Sequence, residues 1–295
     1  MKLKAKESLQ GYGFMLPTLI LIGLFTLFPL GYAIYLSFQR VNLLARTAEW
    51  VGFGNYQIAF SDERLRIALM NTVRYVIFVV PIQTFVALLM AAVLNSGIKF
   101  QKTFRTIFFL PTLTSSAALT MIFMFLFAVN GPVNGLFVNI GILSEPIHFV
   151  ENVNFALNTI MVMNIWSTVP FYMTIYLAGL QDIDGSLYEA ASLDGANVWQ
   201  KFSKITVPNL VPVTNFVLLM GIIGSFQIFD QAFIISGGTG GPMNATLTLS
   251  LLIYQFAFQI RGTMGYASAL AVLLGILIFV VSMITRKINK EEVVY

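Results

Sequence analysis

Cysteine is absent from the 295 residues, so disulfides and thiolate metal sites are ruled out. Histidine occurs once, as His148, and no cluster of nitrogen ligands can form around it. Charged side chains make up only 10% of the chain. A soluble domain carries roughly 25%. No G-x-x-x-x-G-K-[ST] segment occurs, so a nucleotide-phosphate loop is not expected. A cleavable leader is not expected either, because the first apolar run is too long for an h-region and no small-x-small site follows it.

What remains is apolar. Hydrophobic residues account for 57% of the chain and the mean hydropathy is +0.81. Six stretches are free of charge and long enough to cross the roughly 30 Å hydrocarbon layer as helices: about 13–38, 75–94, 106–129, 157–180, 208–235 and 262–285, the fifth carrying one late acid, Asp230. None alternates polar and apolar as a barrel strand would, and bare backbone groups are not tolerated in lipid, so helices are predicted. The fold class expected is an all-α polytopic membrane protein of six transmembrane helices, one domain over 1–295.

With an even number of spans both termini share a side. Segments 1–12, 95–105, 181–207 and 286–295 hold all nine lysines with Arg105 and Arg286, against six arginines (Arg40, Arg46, Arg64, Arg66, Arg74 and Arg261) on the other face. The positive-inside bias places both termini and loop 181–207 in the cytoplasm. Loops of about 39–74, 130–156 and 230–261 face outward. There the glycine run 237–242 reads as a tight turn and His148 as an ordinary loop residue.

Loop 181–207 is unusually long and charged for a connector. Ser186-Leu187-Tyr188-Glu189 has the form of a capping box that starts one short helix. Asp194-Gly195 would end it through a left-handed glycine. Asn197 and Gln200 offer a second start, after which Val198, Phe202 and Ile205 are expected to form one apolar stripe. The prediction is two short helices bent at Gly195, with a face of small alanines open to another protein.

The segment EAASLDGANVWQKFSKITVPNLVP, 189–212, resembles the EAA loop of binding-protein-dependent ABC importer permeases. The ordered segments 15–38, 51–56 (VGFGNY), 71–72 (NT), 104–113 (FRTIFFLPTL), 225–242 and 265–270 (GYASAL) are similar to the sugar-importing branch, the maltose and glycerol-3-phosphate permeases. The resemblance implies a type I importer permease, with no catalytic residues, no metal and no cofactor of its own. ATP and Mg would be bound by a partner ATPase. It implies as partners a second homologous permease, two cytoplasmic ABC ATPases, an extracytoplasmic solute-binding protein and the bilayer of a prokaryotic inner membrane, with no nucleic acid. ATPase coupling would fall to Tyr188, Glu189, Ala190, Ala191, Asp194, Gly195, Ala196 and Phe202. By the same resemblance the substrate pathway would be lined by Thr112 and Ser116, by Ser167, Thr168 and Phe171, and by Gly221, Ser225 and Ile228, the last three on one helix face. A helical wheel sets Asp230 opposite that face, with Gln227 and Gln231, and Asp230 is assigned to a helix–helix or intersubunit hydrogen bond. Other classes find little support. An ion-coupled secondary transporter needs midplane acids or histidines, and only Asp230 offers itself. A channel needs a filter segment. A sugar-phosphate importer is expected to present cations, and the pathway candidates are hydroxyls and aromatics.

Overall fold

The computed structural model describes residues 2–42 and 47–288. Arg46 and Lys290, both counted in the charge balance, lie outside them. Among the described residues five helices are long and apolar enough to cross a membrane, or six if one bent pair counts as a single span.

The chain forms two compact units. One comprises Met1–Asp62 and Ile253–Gly275. Its first helix runs from α1 (Lys2–Ile22) through a π turn at Gly23–Leu27 into α2 (Phe28–Ser37). An antiparallel hairpin follows, β1 (Gln39–Asn42) paired with β2 (Thr47–Trp50), then α3 (Gly54–Ser61). The Asn55 amide donates to the carbonyls of Ser37 (2.8 Å) and Gln39 (2.9 Å), tying the start of α3 to the end of α2. The Tyr266 hydroxyl donates to Asp62 at 2.7 Å. Two sequence segments of separate origin, VGFGNY and GYASAL, thus share one unit.

The other unit is Glu63–Leu252 with Ile276–Tyr295. Its frame is α4 (Glu63–Asn95), α8 (Ala156–Gln181) and α12 (Val211–Phe226). Ala87 and Ala91 let α4 approach α8 closely, around buried Met173, Tyr176 and Leu177. Helix α4 begins twelve residues before the expected span because its first turns carry Arg64, Arg66 and Arg74 and need no lipid. The Asn71 amide donates to the carbonyls of Asn244 and Leu247, and the Thr72 hydroxyl accepts from the Leu249 amide. These bonds pin the segment after the glycine turn to the head of α4.

The third expected span is not one straight helix. It divides into α5 (Gln101–Phe109), a 3₁₀ turn at Leu110–Leu113, and α6 (Ser116–Leu126), bent by 101°. Pro111 has no amide to continue the ladder, Thr114 and Ser115 are extended, and the Ser115 hydroxyl caps α6 by accepting from the Ala118 amide. A short helix α7 (Pro132–Asn139) precedes α8. The elbow at 181–207 consists of α9 (Gly185–Leu193), α10 (Val198–Lys201), a π turn at Phe202–Thr206 and α11 (Val207–Asn209). The fifth span pauses after α12 and resumes as α13 (Asp230–Ser236). The chain then passes through α14 (Leu249–Tyr254) and a π turn at Gln255–Gln259 into α15 (Met264–Ile288).

Candidate functional site

Two places in the larger unit gather the expected functional residues. The first is the elbow. Its opening helix is capped by Asp184 rather than Ser186: the carboxylate accepts from the Ser186 amide at 2.9 Å. Aspartate is the better acceptor and lies two residues earlier, so the S-x-x-E pattern is not used and Glu189 is left exposed. That amide also holds the Asp184 carboxyl below its ordinary pKa.

The helix ends as a Schellman motif. The Gly195 amide donates to Ser192 O (3.2 Å) and the Ala196 amide to Ala191 O (2.9 Å), with Gly195 at φ +75°. Asn197 and Gln200 then form the expected reciprocal box, at 2.8 and 2.9 Å. The expected stripe does not form: Val198 is 84% exposed, while Phe202 and Ile205 are half-buried. The π turn beginning at Phe202 changes the helical period, so i+7 no longer returns to the same face.

Two side-chain bonds cross the elbow. The hydroxyls of Tyr188 and Thr206 are 2.9 Å apart, and the Lys201 ammonium donates to Ser192 at 2.7 Å. Tyr188 and Phe202 line a cavity of about 250 Å³ against Leu180. Ala190 and Asp194 are exposed, Ala191 and Ala196 half-buried. Leu193 (90% exposed) and Trp199 (72%) leave apolar surface in water. This is surface fit for another protein.

The second place is the bend of the third span. A cavity of about 170 Å³ is lined there by Thr112, Thr114, Ser116, Thr120, Ser167 and Gln231, among others. Three of the eight pathway candidates therefore meet: Thr112, Ser116 and Ser167. The others go elsewhere. Thr168 donates to Gln83 Oε1 at 2.8 Å. Gly221 lies so close to the same carboxamide that a Cβ would stand 2.6 Å from Gln83 Nε2. Ser225 and Ile228 are buried, and Phe171 is exposed on α8.

The common face assigned to Gly221, Ser225 and Ile228 fails at Ile228, because α12 stops at Phe226. Thr248 donates to the Ile228 carbonyl at 3.0 Å, holding the break. The break also ends the helical wheel that placed Asp230 and Gln231. Asp230 is exposed in the first turn of α13, and Gln231 lines the cavity. Gln83, 1% exposed, was not singled out from sequence. Its signal was a lone carboxamide in an otherwise apolar run, a group that must find a partner when buried.

The family model for the binding-protein-dependent transport system inner membrane component matches residues 83–291. The chain belongs to this family. It is 35% identical to the lactose transport system permease protein LacF of Rhizobium radiobacter, over 98% of this chain and 97% of that one. It is 33% identical to the arabinooligosaccharides transport system permease protein AraP of Bacillus subtilis, over 94% and 88%. A chain from the crystal structure of a bacterial alginate ABC transporter, in complex with alginate pentasaccharide-bound periplasmic protein, superposes with a TM-score of 0.83 at 23% identity, covering 97% of each chain. The permease therefore has the type I ABC importer fold and is a multi-pass inner-membrane protein. The bent third span lies within the matched region.

Proposed function

We propose that the permease forms, with a second permease subunit, the alternating-access pathway of an ATP-driven importer for a neutral sugar or oligosaccharide. The observation that carries this reading is near full-length identity of about one third to permeases named for lactose and for arabinooligosaccharide transport. The cavity at the bend supports it, since the side chains lining it are hydroxyls, one carboxamide and apolar groups, with no cation for a phosphate.

Both termini and the elbow face the cytoplasm in this reading. Two ABC ATPases bind and hydrolyse ATP with Mg, and the permease itself catalyses nothing. The exposed arm from Glu189 to Ala196, with Leu193 at its tip, enters the ATPase. Closure of the ATPases swings the elbow, and the cross-elbow bonds carry that motion into α12. A solute-binding protein delivers the sugar to the outer loops.

The test is reconstitution of the permease in vesicles with its partner permease, ATPase and solute-binding protein, followed by uptake of radiolabelled lactose, maltotriose and arabinotriose. ATP-dependent accumulation of at least one sugar is expected. Accumulation without the ATPase, or of none of the three, would overturn the reading.

A further inference from the structure

The hydroxyls at the bend are not equivalent to free alcohols. Thr112 donates to Phe109 O (2.7 Å), Thr120 to Ser116 O (2.7 Å) and Ser167 to Asn164 O (2.9 Å); Thr114 makes a longer bond to Leu110 O (3.5 Å). A hydroxyl has one hydrogen to donate and two lone pairs to offer. With the hydrogens of Thr112, Thr120 and Ser167 engaged by the helices' own carbonyls, these three side chains turn only acceptors toward the cavity. Among the described residues lining it, hydrogens remain on Ser116, whose hydroxyl is buried without a partner, on Thr114, whose 3.5 Å contact is too long to engage it, and on the Gln231 carboxamide, which alone carries two.

We propose that Gln231 is the specificity-determining donor of the translocation cavity and that its ligand is a neutral polyhydroxylated sugar ring. This rests on the functional reading above and deepens it. A sugar hydroxyl donates to the Thr and Ser oxygens and accepts from the Gln231 amide at once. A carboxylate or phosphate can only accept, so it would meet a wall of like lone pairs with three donor groups to share. Gln231 reaches the cavity from α13, just beyond the pause in the fifth span. Helix α12 ends at Phe226 and α13 starts at Asp230, and Thr248 donates to the Ile228 carbonyl within that pause.

The natural chain has no cysteine, so Thr112→Cys gives one thiol on this subunit at the cavity wall and leaves Gln231 in place. In the fully assembled transporter, methanethiosulfonate ethylammonium is expected to label that thiol. Whichever of lactose, maltotriose or arabinotriose the unmodified complex takes up should slow labelling at least tenfold, while digalacturonate should not slow it. Gln231→Leu should lower uptake of that sugar at least tenfold, and Gln231→Asn, which keeps the donors, should recover most of the loss. If the unmodified complex takes up none of the three sugars, the functional reading fails and this inference falls with it. If it takes one up and that sugar leaves labelling unchanged, or Leu and Asn behave alike, the assignment of Gln231 alone is wrong.

Discussion

The elbow at 181–207 and the bend at 101–126 are both interruptions between helices, held by different kinds of contact. The elbow is set by neighbours in sequence: Asp184 caps residues 185 and beyond, Gly195 turns the chain, and Asn197 with Gln200 starts the next helix. Each of these bonds spans five residues or fewer. The bend owes its local break to Pro111 and the Ser115 cap, but its cavity is completed by Ser167 on α8 and Gln231 on α13. In the proposed function the elbow presents its shape to a partner protein, and its caps and turn are specified locally. The bend would hold a ligand between separate helices, which can move apart.

The sharpest way to break that contrast is Gly195→Val. No atom lies within 4 Å of a Cβ at this position, so the penalty is wholly the left-handed backbone, roughly 1–2 kcal/mol for a side chain with a Cβ and more for a branched one. Uptake should fall more than tenfold while the protein still inserts. Gly195→Asn, which tolerates φ > 0, should stay within about twofold of the natural chain. Equal uptake by both variants would mean that the elbow's shape is not fixed by its own backbone.

The next largest effect belongs to the membrane region. Gly221→Ala places a methyl against Gln83 Nε2 and forces the carboxamide away from Thr168. A loss of about 1–3 kcal/mol is expected in thermal unfolding of the solubilised protein. Because the clash and the lost bond share one residue, Gln83→Ala should cancel part of it, and a double-mutant cycle should show coupling of at least about 0.5 kcal/mol. Strict additivity would break the link between α4, α8 and α12. Smaller again is Tyr188→Phe. It removes the hydroxyl bridge to Thr206 at a cost of about 0.5–1.5 kcal/mol. ATP hydrolysis should continue while sugar moved per ATP drops a few-fold, since the motor would pull on a looser joint.

How much of each region was legible follows from the same difference. Asn197–Gln200 and the turn at Gly195 were readable because the residues that satisfy the backbone stand three or four positions apart. Ser186 was read as a cap because Asp184, a stronger acceptor two residues earlier, was not weighed against it. The span positions of α8 and α15 were readable from apolar length alone. The bend was not: the pattern of Pro111 and a run of Thr and Ser marks a place where a helix can break, but its 101° depends on what packs against it. Gln231 was grouped with Asp230 away from the pathway although it stands only three residues from Ile228, and α12 ends at Phe226 before either. The Ile228 carbonyl left by that end is met by Thr248, twenty residues downstream.

The least effect is expected from acid, and it falls on the elbow alone. The Ser186 amide lowers the Asp184 pKa from its ordinary 3.8, so the carboxylate is favoured in the folded elbow over the unfolded chain. A depressed folded pKa contributes stability that is fully present above 3.8 and is lost as pH falls through the lowered value. Neutral and mildly acidic buffers should therefore leave α9 intact. Its first turn should lose hydrogen-exchange protection only below the ordinary aspartate range, with the amide of Ser186 opening first. Asp184→Asn keeps a good cap without a titrating group. In that variant protection should no longer depend on pH in this range, and the cavity at the bend, which contains no titratable side chain among the described residues, should show no such dependence in either protein. Acid sensitivity that persisted in the asparagine variant would place the labile contact elsewhere in the elbow and remove Asp184 as the group that fixes where α9 begins.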